Sequence, residues 1–80
     1  MTRQDIHEKL TGIFRDIFED DQLQLADETT AEDVEGWDSL THVNLLVAVE
    51  KGFGIRMSTR EIKSMRNVGD FINLIQQKSA

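Results

Sequence analysis

The chain has 80 residues, which is enough for one small domain with a modest hydrophobic core. It contains no cysteine, and this excludes disulfide bonds, a thiolate metal site and a thiol nucleophile. Its net charge of −6 argues against a nucleic-acid binder, which would normally present a basic face. With no membrane-length apolar run and no apolar N-terminal signal region, the sequence predicts a soluble cytoplasmic protein.

The first predicted element is a helix from about Arg3 to Phe18. Its apolar residues recur every three or four positions and so form one stripe along the helix. Thr2, with Asp5 three positions later, predicts the start of the helix. The stripe consists of Ile6, Leu10, Ile13, Phe14, Ile17 and Phe18.

Residues 19–38 follow as a long loop without sustained periodicity, and loops of this length in a small domain are often functional. The acidic residues of the loop suggest an EF-hand calcium site. Counted from Asp20, however, the sixth position is Leu25 instead of glycine and the twelfth is Ala31 instead of glutamate. We therefore predict no calcium site, and expect the few apolar residues of the loop to pin it to the core.

The second helix is predicted to begin after Asp38 as its N-cap and to run to about Lys51, with Gly52 and Gly54 ending it. It has more apolar surface than one buried face needs. Placed on a helical wheel, one apolar stripe faces the bundle and comprises Leu45, Leu46 and Val49. A second apolar stripe comprises Leu40, Val43 and Val47. The second stripe is compatible with a central, buried helix or with a surface offered to a partner protein.

Two shorter helices complete the predicted fold. Ser58 and Glu61 form the capping box of a short third helix, and Ile62 and Met65 are expected to face inward. The fourth helix is predicted to begin at Asn67 and to fray near Gln77. Because no segment alternates like a strand, we predict an all-α fold, a small four-helix bundle with a long loop between helices 1 and 2.

The stretch EGWDSL places Ser39 at the start of the second helix. Three roles suit a serine there: it could cap the helix, act as a nucleophile, or carry a phosphate ester near the positive end of the helix dipole. A nucleophile would need a base, and His42 lies one turn further on, but no G-x-S-x-G elbow or orienting acid is evident. His7 and His42 are predicted to be surface residues and are too far apart in sequence to indicate a metal site.

The segments WDSL, THVNLLVAVEKGFGIRMSTREI and NVGDFINLI together resemble the acyl carrier proteins and related phosphopantetheine-bearing carriers. The resemblance extends over the whole chain and implies one carrier domain of the acyl-carrier type, residues 1–80, without enzymatic activity. It implies that Ser39 receives 4′-phosphopantetheine from coenzyme A through a phosphopantetheinyl transferase. The thiol of this arm would carry acyl or aminoacyl groups as thioesters.

The resemblance also assigns roles to residues around Ser39. Asp38 matches the acid that assists modification, and Leu40 belongs both to the attachment motif and to the docking face. Phe53 and Leu46 match core or pocket-lining positions, and Trp37 is expected to pack the loop onto the bundle. Partner enzymes that load, condense or transfer acyl groups would dock on Leu40, Val43, Asn44, Val47, Glu50, Met57 and Ile62.

The chain departs from fatty-acid carriers in its charges. Asn44 stands where an acid is frequent and Lys51 replaces another, although Glu50 remains. The region of the third helix is basic, with Arg56, Arg60, Lys63 and Arg66. We therefore predict a stand-alone, monomeric carrier of a specialised biosynthetic pathway. The alternatives are a housekeeping fatty-acid carrier and an unmodified helical interaction protein in which Ser39 only caps the helix.

Overall fold

A computed structural model of the chain describes residues 2–79. In this range the chain forms four α-helices and no β-strand: α1 (Arg3–Phe18), α2 (Ser39–Phe53), α3 (Thr59–Ser64) and α4 (Val68–Lys78), with one 3₁₀ turn at Ala31–Asp33. The predicted all-α four-helix fold is thus confirmed. None of the helices described is long and apolar enough to cross a membrane.

The helix starts follow the predicted capping chemistry. The Thr2 hydroxyl accepts from the Asp5 amide at 3.1 Å, while the Asp5 carboxylate accepts from the Thr2 amide at 3.2 Å. The same reciprocal pair of bonds joins Ser58 and Glu61 at the start of α3. Asn67 caps α4 by accepting from the Asp70 amide at 2.8 Å. Such caps satisfy amide groups that have no partner inside the first turn of a helix.

The core forms where α1, α2 and α4 bring their apolar stripes together. Met57, Leu25 and Ile55 add to it from the segments between helices, and half-buried Ile62 and Met65 pack against it, as predicted for an inward-facing third helix. The largest fully buried side chains are Phe14, Phe71, Ile6, Leu10, Leu45, Ile72, Ile75, Val49 and Val68. Burial of this apolar surface is the main stabilising contribution in so small a domain.

The end of α2 differs from the prediction. The helix continues through Gly52 to Phe53, and Gly54 alone ends it, with a φ of +67° and its amide bonded to the Glu50 carbonyl. Gly52 lies inside the helix, and a glycine stands there because α1 passes close to this position. A Cβ at position 52 would approach Ile13 Cδ1 to 3.0 Å. The glycine therefore permits close packing of α1 on α2 and does not terminate the helix.

The long loop is fastened at both ends of its acidic stretch. Leu25 and Val34 are buried, which confirms that apolar residues pin the loop to the core. The loop carbonyl of Thr29 accepts from the Val68 amide at 2.9 Å, and that of Asp27 accepts from the Gly69 amide at 2.8 Å. These bonds satisfy the first amides of α4 and hold the loop against that helix. The loop thus leads to the start of α2 by a defined path.

Candidate functional site

Ser39 is the first residue of α2 and its side chain is exposed to solvent. The N-cap is Asp38, as predicted, because its carboxylate accepts from the Thr41 amide at 2.8 Å. That hydrogen bond is also the main reason why the pKa of Asp38 lies below its ordinary value. Since Asp38 already caps the helix, the fold does not require Ser39 for that purpose.

The chain reaches Ser39 through a tight turn at Gly36. This glycine has a φ of +89°, a left-handed conformation that other residues adopt only with strain. On either side of it, the Trp37 amide donates to the Val34 carbonyl at 3.2 Å and the Asp38 amide donates to the Gly36 carbonyl at 3.0 Å. The turn sends Trp37 inward and leaves Ser39 exposed.

Trp37 anchors this turn on the bundle, as the sequence predicted. Its ring meets Phe14 edge to face, with centroids 5.1 Å apart, and lies 6.1 Å from Phe18. The indole Nε1–H donates to His42 Nδ1 at 2.9 Å. Residues on both sides of Ser39 are therefore linked by one hydrogen bond, which the sequence did not reveal.

The two histidines are not free surface residues, and the prediction for them was wrong. His7 is half-buried, and its Nε2 lies 2.6 Å from the Leu25 carbonyl oxygen. His42 is half-buried beside Trp37, and this burial lowers its pKa. Because the indole N–H needs an acceptor, the neutral His42 ring must carry its proton on Nε2. In this state neither ring nitrogen is available to take a proton from Ser39, and the nucleophile role has no base.

We expect the stability of the protein to fall as the pH drops below about 6.5, the ordinary value for histidine. The folded state holds His42 neutral to a lower pH than the unfolded state does. The neutral ring therefore contributes fully to stability above pH 6.5, and this contribution is lost as the pH falls through the pKa of His42 in the folded state. Urea unfolding of wild type and His42→Gln at several pH values measures this. An equal pH dependence in both proteins would contradict the assignment, since His7 is common to the two.

We expect Asp38→Ala to lower the free energy of unfolding by about 1 kcal/mol, because the variant loses the N-cap of α2. Glu35→Ala is the matched control, since it removes the same charge from an exposed loop position three residues earlier. Chemical denaturation of both variants gives the comparison. Equal losses in the two variants would mean that charge, and not capping, is responsible.

A cavity of about 350 Å³ opens beside Ser39. It lies between the end of the long loop, the start of α2 and the junction of α3 with α4. Its apolar lining includes Trp37, Met65 and Phe71. Phe71 comes from the far end of the sequence, and no local pattern indicated that it would meet Ser39. Leu46 and Phe53, predicted as core or pocket-lining, belong to the core or pack against it.

The second stripe of α2 is exposed over its whole length. Leu40, Val43 and Val47 are 74%, 57% and 45% exposed, respectively. In this structure the stripe is therefore a surface and not a buried face. Single exposed apolar residues are ordinary, but three aligned on one helix next to Ser39 make a small apolar patch.

Two of the predicted docking residues have structural roles. Met57 is only 9% exposed and belongs to the core, so it is not part of an exposed docking face. After α2 the backbone turns so that the Met57 side chain points inward, and burial of its apolar surface is favourable. The carboxylate of Glu50 accepts from the Met57 amide at 2.9 Å and so holds this segment in place. Ile62 is half-buried, whereas Asn44 is exposed.

Comparison with known proteins matches this arrangement to a family. A family model described as a phosphopantetheine attachment site matches residues 8–75. An acyl carrier protein of Thermotoga maritima is 29% identical over 96% of this chain and 95% of its own length. Acyl carrier protein 2 of Ralstonia nicotianae is 32% identical over 95% of this chain and 94% of its own.

The same result comes from solved structures. The solution structure of a holo acyl carrier protein from Geobacter metallireducens superposes with a TM-score of 0.86 at 42% identity, covering 90% of this chain and 83% of that one. A small helical bundle with a phosphopantetheine attachment domain defines a class of carriers. The chain belongs to the acyl carrier protein family.

Membership of the acyl carrier protein family defines the general function of the protein. It is a carrier and not an enzyme, and its cofactor is covalently bound 4′-phosphopantetheine. It interacts with a phosphopantetheinyl transferase and with biosynthetic enzymes. The residues present fit the cofactor, because the start of α2 offers an exposed serine hydroxyl next to a cavity of suitable size. When bound, the cofactor supplies the thiol that this cysteine-free chain lacks.

Proposed function

We propose that Ser39 is the residue that carries 4′-phosphopantetheine. The observation that carries this proposal is that Ser39 is exposed at the first position of α2 while Asp38 does the capping. The Ser39 hydroxyl oxygen would form a phosphodiester with the arm, adenosine 3′,5′-bisphosphate would leave from coenzyme A, and the hydroxyl proton would pass to the transferase. Asp38 keeps the first turn of α2 in place during this exchange.

The intact mass of the protein after incubation with coenzyme A and a broad-specificity phosphopantetheinyl transferase tests the attachment. We expect the gain of one phosphopantetheine. Peptide mapping should place it on the tryptic peptide that contains Ser39. No gain with several transferases of different specificity would overturn the proposal.

We further propose that partner enzymes dock on the exposed stripe Leu40, Val43 and Val47, with Asn44 and Glu50 at its edge. A partner seated on this stripe would have its surface at Ser39, where the arm begins. A carrier must leave each enzyme after transfer, and three exposed side chains offer too little area for a permanent complex. The same small exposed apolar area supports our proposal that the protein is a monomer, because it offers too little area for a permanent complex between two copies. Tethering of the acyl or aminoacyl cargo raises its effective concentration at each enzyme.

The domain assignment and the location are also proposals. We propose one carrier domain over residues 1–80, which is supported by the nearly full-length matches to the two bacterial relatives. We also propose that the protein is cytoplasmic.

The surface charge supports a specialised pathway over housekeeping fatty-acid synthesis. Asn44 is exposed beside the docking stripe, and Lys51, Arg56, Arg60 and Lys63 are exposed at its far end and on α3. A basic patch on a fatty-acid enzyme would find little negative charge here. Since complementary charge mainly raises the association rate, the effect should appear in kinetics.

We therefore expect a fatty-acid malonyl transferase to load this protein with a kcat/KM on the order of tenfold or more below that for its own carrier. The double variant Asn44→Glu, Lys51→Glu should recover part of the difference, because it restores negative charge along α2. Normal loading of the wild type would instead favour the housekeeping role. Steady-state kinetics at low ionic strength, where charge effects are largest, gives the measurement.

A further inference from the structure

The cavity beside Ser39 is lined by both apolar and polar residues, and it adjoins the proposed attachment site. Asp38 and Ser39 form part of its wall, so any group on the Ser39 oxygen begins at the edge of the cavity. Its volume of about 350 Å³ lies near the lower end of the range for small-molecule sites. Trp37, Met65 and Phe71 supply an apolar surface.

Besides Asp38, which brings a carboxylate, and Ser39, the polar part of the lining comes from His42, Arg66 and Asn67. The His42 ring has a fixed hydrogen-bonding role, because Trp37 Nε1–H occupies its Nδ1 at 2.9 Å. Its Nε2 therefore carries a proton and can only donate. Arg66 brings the one formal positive charge among the described residues that line the cavity.

Resting on Ser39 as the attachment site, we propose that this cavity holds the arm itself and not the acyl cargo. The methyl groups of the pantoyl unit pack on Trp37 and Phe71. An oxygen of the amide-bearing part accepts from His42 Nε2–H, and Arg66 lies on the side of the phosphodiester. The cargo then stays outside the bundle, within reach of a docked enzyme.

The chemistry of the lining favours the arm over a hydrocarbon chain. A chain of methylene groups in the cavity would leave the His42 N–H without an acceptor, and leaving a part-buried donor unpaired is unfavourable. The arm combines methyl groups with amide and hydroxyl oxygens, so it can satisfy both the apolar and the polar lining. Its first atoms are also held at the cavity wall by the bond to Ser39, which reduces the entropy lost on binding.

Isotope-filtered NMR of the holo protein, labelled with ¹³C and ¹⁵N and carrying an unlabelled arm, tests the proposal. Intact mass first confirms that the arm is present. We expect nuclear Overhauser contacts from the pantoyl methyl protons to the rings of Trp37 and Phe71, and a shift of the Trp37 Nε1–H signal between the apo and holo proteins. Absence of these contacts in a fully modified sample would overturn the proposal.

Two variants separate the hydrogen bond from general packing. His42→Leu removes the donor and should abolish the contacts, whereas His42→Gln, whose amide can accept from Trp37 and donate to the arm, should retain them. Gln76→Ala, at an exposed position of α4, is the control and should change nothing in the cavity. Contacts that persist in His42→Leu, or that arise only from the chain of an octanoyl-loaded sample, would overturn the proposal. Failure to gain the arm at all would instead overturn the attachment at Ser39, and this inference with it.

Discussion

Ser39→Ala is expected to abolish all loading of the protein while leaving its fold intact. The chain has no cysteine, so every thioester it carries must form on the thiol of the arm, and under the proposed function the arm is attached to the Ser39 hydroxyl. The structure explains why the fold tolerates the change. Ser39 is exposed, and the cap of α2 is the Asp38 carboxylate. Loss of the hydroxyl should therefore cost well below the ~1 kcal/mol of a lost cap.

Intact mass measures the first half of this prediction and thermal unfolding the second. Ser64→Ala is the matched control, because it removes a hydroxyl from another exposed serine, one whose hydroxyl donates to the Glu61 carbonyl at 2.8 Å. We expect the Ser64 variant to gain the arm as the wild type does. A Ser39 variant that still gains one phosphopantetheine would show that the attachment lies elsewhere.

Phe14→Ala should have the largest effect on stability. Phe14 is fully buried and lies within 6.3 Å, centroid to centroid, of Phe18, Trp37 and Phe71. Truncation of such a ring costs about 3–5 kcal/mol. An 80-residue domain has only about 4–12 kcal/mol of stability in total. We therefore expect the Tm to fall by more than about 10 °C.

Phe53→Ala provides the comparison, because it makes the same chemical change at a half-buried ring near the end of α2. Its ring has the Lys9 ammonium 5.0 Å above its centre and only partial burial, so its loss should cost less. Denaturant unfolding followed by fluorescence of Trp37, the single tryptophan, measures both. Equal losses in the two variants would show that Phe14 is not the centre of the core.

Phe14 also connects stability with the site. Its ring supports Trp37 edge to face, and Trp37 in turn holds His42. In Phe14→Ala the indole loses this support, so the loop before Ser39 should become mobile even in molecules that stay folded. A weakened Trp37 Nε1–H signal in the apo protein would report this effect.

The amino-acid sequence by itself determined the four helices and their starts, because these depend on neighbours along the chain. The caps at Thr2, Asp38, Ser58 and Asn67 each bond an amide three residues away. The apolar period is equally local, and it predicted the second stripe of α2, although only the structure showed that this stripe is exposed. The acyl carrier resemblance rested on the same contiguous segments.

Only the tertiary structure decided which distant residues meet. Gly52 was predicted to end α2, yet it lies inside the helix. The close approach of Ile13 from α1 explains why this position is a glycine. Met57 was predicted to face a partner, yet it is buried, and the amide of this segment is bonded to Glu50. The cavity beside Ser39 needs Phe71 from α4 and the Trp37–His42 bond, and these depend on the packing of side chains that no local period records. Neighbours along a chain share a pattern, whereas a cavity depends on how separate elements fill space.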